Sequence, residues 1–359
     1  MPDFIKETQT VWERLAAADK PIVLYGMGNG AEKILDRCQE FKVPVAGIFA
    51  SDDFVRGQSF RGFKVARYAE IVAELGKNIL IVVAFASEKE DVLQTFAALA
   101  KEHEVLVPHL PIFAEDDTVS PAWLEKYAAE LQLVYDRLGD EQSRRVFAAA
   151  LNYKISGKPE YLFGCATDRR TDLRELLTWN EDESYMDLGA YDGDTLKEFS
   201  ELTGGHWLRA IAVEPDRRNF AKLCRSAAAL PPEKIVLLQK GVWHERGTLM
   251  FSDSGGRQST FRGTADREVE VDSVDNMSGG EKITYIKLDV EGVEVQALQG
   301  AAQTLSRFTP KLLLAAYHYD NDLFRLPLFL WEIVPEYKIY LRKHPYVPCW
   351  ELNFICKRD

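Results

Sequence analysis

The segment YMDLGAYDGDT, Tyr185–Thr195, sets a carboxylate, Asp187, in an apolar run and follows it with Gly189, Ala190, Gly193 and Thr195. Glycines in such a turn adopt conformations closed to other residues and let a ligand approach the backbone. The helix N-terminus beyond them offers free N–H groups. A phosphate or an amino-acid carboxylate suits such a site. The spacing is GxxxG after an acid, not the GxGxxG that brings a dinucleotide pyrophosphate against the helix, so adenosylmethionine is favoured over NAD. Asp187 is then placed for the methionine ammonium, directly or through water; the competing account is that it caps the turn. Glu214, in AVEPD, ends the next apolar run about 25 residues after the turn, where a carboxylate accepts both ribose hydroxyls. Trp243, after LLQKGVW, is a candidate neighbour of the adenine, with packing as the equal alternative.

A second glycine turn precedes all of this. GMGNGA, Gly26 to Ala31, fits G-x-G-x-x-A, and Asp52 follows the next strand at about the distance of a ribose contact. Gly26, Gly28 and Asp52 therefore form a possible second nucleotide site. FRGFKV, Phe60 to Val65, with the preceding IFASDD, resembles the small nucleotide-binding domains attached to sugar-modifying enzymes. The rival reading of the whole chain starts here: an NAD(P)-dependent oxidoreductase, or a nucleotide-sugar-binding protein. Against the oxidoreductase, the first domain has too few expected strands for a full dinucleotide fold, and no Tyr-x-x-x-Lys set follows.

The strongest pattern is YIKLDVEGVEVQALQGAAQTL, Tyr285 to Leu305. Together with DLGAYDGDT, VEP, KGVW, VDSVD and the AAYH that ends at His318, it resembles the FkbM family of methyltransferases over about residues 180 to 345. The resemblance implies a class I fold, S-adenosyl-L-methionine as cofactor, and methyl transfer to oxygen, commonly a hydroxyl on a sugar, polysaccharide precursor or other natural product. The sulfonium already activates the methyl group, so in-line placement does most of the work. A base still helps, because an alcohol loses its proton as the new bond forms. Asp289 at the strand end is the first candidate and His318 the second.

Lys287 and Asp289 are two apart on a strand and share a face, while Glu291 and Glu294 are expected on one face at the start of the next helix. One reading makes a divalent-metal clamp of Asp289, Glu291, Glu294 or His318. The preferred reading has Glu291 and Glu294 favouring the helix N-terminus and holding Lys287 by salt bridges, with no metal. The segments expected to line an acceptor pocket, Gly255 to Gly263 and His318 to Arg325, carry no legible motif.

The elements that must position these residues are strands alternating with helices, hence an α/β fold with parallel sheets. Strands are expected at Ile22 to Tyr25, Val43 to Phe49 and Ile79 to Phe85, then at Tyr185 to Leu188, Ala210 to Val213, Ile235 to Leu238, Tyr285 to Leu288, Leu312 to Ala316, Tyr337 to Leu341 and Leu352 to Cys356. The last two are close enough for an antiparallel edge pair, and Gly263 to Met277 looks like an inserted strand and short helix. The expected division is a Rossmann-like domain over 1–112, a helical connector over 113–170, and a class I methyltransferase domain with a seven-stranded sheet over 171–359.

The 359 residues suit about two domains, and 46% hydrophobic with 28% charged residues is a globular composition. A net charge of −12 argues against a nucleic-acid substrate. Five scattered cysteines without a CxxC pair fit a reducing cytoplasm. No apolar run approaches the roughly 20 residues of a membrane span, so a small-molecule or carbohydrate acceptor is the expected partner.

Overall fold

A computed structural model describes residues 1–113, 118–251 and 267–358. Of the segments discussed above, Gly255 to Gly263 and the start of the Gly263 to Met277 insertion lie outside the described residues. Two compact units divide the chain. Unit 1 comprises Met1–Tyr135, Arg144–Thr167 and Lys343–Glu351; unit 2 comprises Asp136–Ser143, Asp168–Arg342 and Leu352–Asp359.

In unit 1 the strands are β1 (Ile22–Tyr25), β2 (Val45–Ala50), β3 (Ser59–Phe60), β4 (Phe63–Arg67), β5 (Leu80–Val83) and β6 (Glu104–Leu106), in the order β3-β4-β2-β1-β5-β6. Every pairing is parallel except β3 with β4. Six strands correct the expectation of too few. Three escaped notice because β3 and β6 have only two and three residues, and because β4 buries one side chain, Val65. FRGFKV is a β3–β4 hairpin whose two turn residues, Arg61 and Gly62, have φ of +50° and +87°, as a two-residue turn matched to strand twist requires. β1 and β5 are buried on both faces, the mark of a sheet covered by helices. Ile22, Leu24, Leu80 and Val82 pack with Ala31, Ile34 and Cys38 of the helix Asn29–Glu40.

In unit 2 the strands are β7 (Ser184–Leu188), β8 (Arg209–Val213), β9 (Ile235–Leu238), β10 (Gly241–Val242), β11 (Gly247–Phe251), β12 (Arg267–Asp272), β13 (Tyr285–Leu288), β14 (Lys311–Ala315), β15 (Lys338–Lys343) and β16 (Leu352–Lys357). Seven form one sheet, β15-β16-β14-β13-β7-β8-β9, with β16 antiparallel to β14. β10, β12 and β11 form a separate small sheet, and β12 with the helix Val274–Ser278 supplies the inserted strand and helix. Beneath β7 and β13, Tyr185 stacks on Phe199 and Tyr285 at centroid distances of 4.5 and 4.9 Å. The segment Asp136–Ser143 is tied within unit 2 by Arg342, which donates to Asp140 at 2.6 Å and Asp172 at 3.1 Å.

Two helices follow β13, Glu294–Gln299 and Ala302–Phe308. The break falls at Gly300, where a Cβ would stand 2.3 Å from the Trp243 carbonyl oxygen. Among the described residues, no helix is long and apolar enough to cross a membrane.

Candidate functional site

β7 and β13 lie side by side in parallel, with Asp187 and Lys287 as register partners. Their side chains meet: Lys287 Nζ is 3.5 Å from Asp187 Oδ1 and donates to the Gly189 carbonyl. Thr195, on the helix Asp194–Leu202, donates its hydroxyl to Asp187 Oδ2 at 2.6 Å. Asp187 is wholly buried. Burial pushes its carboxyl up, against the pull of Lys287 and Thr195. Burial also works against the Lys287 charge, but the Asp187 and Asp289 carboxylates outweigh it and hold the ammonium above the ordinary lysine range.

The turn after β7 folds over the end of β8, where Gly189 N and Ala190 N both donate to the Val213 carbonyl at 3.0 Å. Gly189 has φ +78°, and a Cβ there would stand 1.9 Å from the Asp289 carbonyl oxygen. The glycine therefore lets two strand ends touch, beyond any access it gives a ligand. Gly193, at φ +90°, caps the helix Asp194–Leu202.

Glu214 follows β8 and is 6% exposed. Its two oxygens accept from Tyr191 N at 2.9 Å and Asp216 N at 2.8 Å. Burial pushes the carboxyl up to about 7, opposed by those two N–H groups. One donor on each oxygen fixes the carboxylate plane and leaves further lone pairs for a ligand. Trp243 is partly exposed, and its backbone N–H donates to the Asp272 carbonyl at 3.0 Å.

Past the end of β13, three carboxylates converge on one imidazole. His318, 1% exposed, has Nδ1 2.9 Å from Glu294 Oε1 and Nε2 3.4 Å from Glu291 Oε2 and 3.5 Å from Asp289 Oδ1. Tyr317 donates its hydroxyl to both Asp289 oxygens at 3.2 Å. Burial works against a charged His318, but Glu294 and Glu291 outweigh it and hold the ring well above the usual histidine range. Burial pushes Asp289 up, yet Lys287 and His318 prevail and keep it below the usual aspartate range. Burial pushes Glu291 up and His318 opposes it.

The salt-bridge expectation needs correcting. Glu294 does not hold Lys287: it accepts from Val290 N at 3.0 Å and turns to His318. Glu291 precedes the helix, which starts at Glu294, and takes φ +55°. Lys287 is claimed by Asp187, its neighbour across the sheet. Tyr317 was missed by the sequence reading, although it stands inside the AAYH strand end.

In unit 1, Gly28 has φ +117°, is exposed, and has nothing within 4 Å of a Cβ position; at Gly30 a Cβ would meet the Ala84 carbonyl oxygen at 2.4 Å. Gly26, at φ +113°, would meet the Phe85 ring at 2.5 Å. Asp52 is exposed, 4.0 Å from Arg67.

Residues 187–344 match the family model described as the methyltransferase FkbM domain. This stretch is an FkbM methyltransferase domain. Among solved structures, the chain is similar to the methyltransferase FkbM from Methylobacillus flagellatus KT at 20% identity and a TM-score of 0.75, covering 99% of this chain and 94% of that one. At that identity the likeness concerns the fold, which is the expected class I methyltransferase sheet preceded by a Rossmann-like one. An rRNA methylase from Streptococcus thermophilus matches at 12% identity, 53% and 93% coverage and TM-score 0.34. Fibrillarin from Aeropyrum pernix matches at 13%, 52% and 72%, and 0.32. At those scores neither adds to the reading of the FkbM domain. No curated protein matches the chain.

Proposed function

We propose that the FkbM domain transfers a methyl group from S-adenosyl-L-methionine to a hydroxyl oxygen of a carbohydrate, polysaccharide precursor or other natural product. The carrying observation is the meeting of Gly189 and the Asp289 backbone, which brings the glycine turn against the strand end that bears an acid. Glu214 suits a ribose diol: its plane is locked by two backbone N–H groups and each oxygen keeps a lone pair. The positive-φ turn and the N-terminus of the helix Asp194–Leu202 suit the amino-acid end. Asp187 acts behind them, fixing Lys287 and Thr195. When bound, the cofactor supplies a methyl group on a sulfonium that leaves as a neutral thioether.

The remaining work is positioning and removal of one proton. Asp289 is placed for the proton because its side chain is 29% exposed, whereas His318 is 1% exposed and enclosed by Asp289, Glu291 and Glu294. The hydroxyl of Tyr317 holds the Asp289 carboxylate from one side. Removing a positioned base costs about 10²–10⁴-fold in rate. Asp289→Asn should therefore lower single-turnover methylation by that factor under saturating cofactor, with the melting temperature little changed. If Asp289→Asn melts early but methylates normally while His318→Gln is inert, the base is His318.

A second reading applies to unit 1, where the open backbone at Gly28 and the close helix-to-strand approach at Gly30 reproduce two of the glycine roles of a nucleotide turn. A nucleotide or nucleotide sugar docks there independently of methyl transfer. Separate titrations with NADH and nucleotide sugars check it by saturation-transfer NMR; no binder at millimolar concentration leaves unit 1 a structural module.

A further inference from the structure

The proton chemistry above uses Asp289 and Tyr317 but leaves Glu291, Glu294 and His318 without a task. These side chains come from two strand ends and the start of a helix, and they turn toward one point. Asp289, Glu294 and His318 each bring a donor atom within 4.8 Å of the other two. Glu291 reaches the same ring nitrogen that Asp289 faces, at 3.4 Å against 3.5 Å. To do so its backbone takes φ +55°, a conformation that costs an ordinary side chain on the order of 1–3 kcal/mol.

Charge makes the same point. Three carboxylates face a single imidazole, and Glu294 and His318 are both 1% exposed. Among the described residues, the buried cation beside them, Lys287, is shared between Asp187 and Asp289. Lys287 faces Asp187 at 3.5 Å, and Arg169 donates to both oxygens of Glu198 at 3.1 Å. A protonated ring offsets one negative charge of the three and Lys287 bears on that of Asp289, and buried charge left over is expensive. A divalent cation offsets two and leaves the ring free to act as a neutral ligand.

The donor chemistry fits as well. Bonds of about 2.0–2.5 Å to a common ion place its ligand atoms roughly 3–5 Å apart, the spread seen here. One imidazole nitrogen among carboxylates is the set that suits Mn²⁺ and related ions more than a thiolate-seeking metal.

We infer that Asp289, Glu294 and His318, with Glu291 at the exposed side, form a divalent-cation site. The inference deepens the proposed function, on which this strand end faces the acceptor: the ion would hold the acceptor oxygen. The binding itself stands without methyl transfer.

The test is a titration of the full chain with MnCl₂, without adenosylmethionine, following free Mn²⁺ by electron paramagnetic resonance. One Mn²⁺ per chain is expected, with affinity reduced at least tenfold in Glu294→Gln and His318→Ala, each checked for fold by near-UV circular dichroism. If either fails to fold, Glu291→Gln, which alters a partly exposed side chain, should still weaken binding. A folded wild-type chain that takes up no Mn²⁺, or uptake equal in wild type and all folded variants, overturns the site. Mn²⁺ uptake without methyl transfer would instead overturn only the proposed reaction, and methyl transfer without uptake only the cation site.

Discussion

At Gly28 the chain takes φ +117° in open space, while at Gly189 it takes φ +78° with the position of a Cβ only 1.9 Å from a carbonyl oxygen. Both residues stand in glycine turns between a buried strand and a helix, although the spacing differs, GxxxG after an acid at Gly189 and G-x-G-x-x-A around Gly28. The first turn presents bare backbone to solvent. The second is wired: Lys287 bonds the Gly189 carbonyl, Asp187 holds Lys287 and Thr195, and Glu214 holds the Tyr191 backbone. A glycine pattern reports that the backbone is unusual at a point. What the turn is for depends on the side chains that other strands deliver to it.

The comparison breaks most sharply by adding one methyl group to each turn. Gly189→Ala must push apart the ends of β7 and β13, so it should destabilise unit 2 by about 3 kcal/mol or more, from overpacking and a left-handed backbone together. Denaturant unfolding measures it. A loss as small as that of Gly28→Ala would show that the two strand ends yield easily and that the contact is not what demands glycine.

Next comes Glu214, which has no counterpart in the exposed Asp52 of unit 1. Glu214→Ala should weaken adenosylmethionine binding by about 1–3 kcal/mol through lost charge-assisted hydrogen bonds. The carboxyl is raised from 4.5 to about 7. The folded chain therefore holds an extra proton between those values, and this group lowers stability as pH rises through that window. Hydroxyl donors need the ionised form, so binding should tighten as pH rises through about 7. Calorimetry at pH 6 and pH 8 checks the sign, and Glu214→Gln should flatten the difference; an equal slope in that variant removes Glu214 from the ligand.

The smallest effect belongs to Gly28→Ala, where only the backbone conformation opposes the change, at about 1–2 kcal/mol. Its melting temperature should fall a little while methylation per folded molecule is unchanged. A methylation defect of tenfold or more would tie the turn of unit 1 to the reaction and end the contrast.

Much of this architecture is present in the sequence taken alone. The runs Ile22–Tyr25, Ile235–Leu238 and Tyr285–Leu288 became strands at the residues expected of them. A parallel strand covered by helices is apolar almost throughout, and that signal is local. The order of DLGAYDGDT, VEP and KLDVEGVE was likewise enough to indicate the class of fold. β4 and β6 were not legible, because strands of five and three residues that bury few side chains have no period to read. Nor was the pairing of Lys287 with Asp187. Those residues are 100 positions apart, and they meet because strand order and register make them neighbours. The same holds for Glu294, which local helix logic assigned to Lys287 and which tertiary structure turned to His318, a residue at the end of another strand. Periodicity and turn chemistry act within one segment, so they determine the elements and the candidate acids. Which acid faces which base follows from how strands are ordered across a sheet, and that was decided only by burying all of them at once.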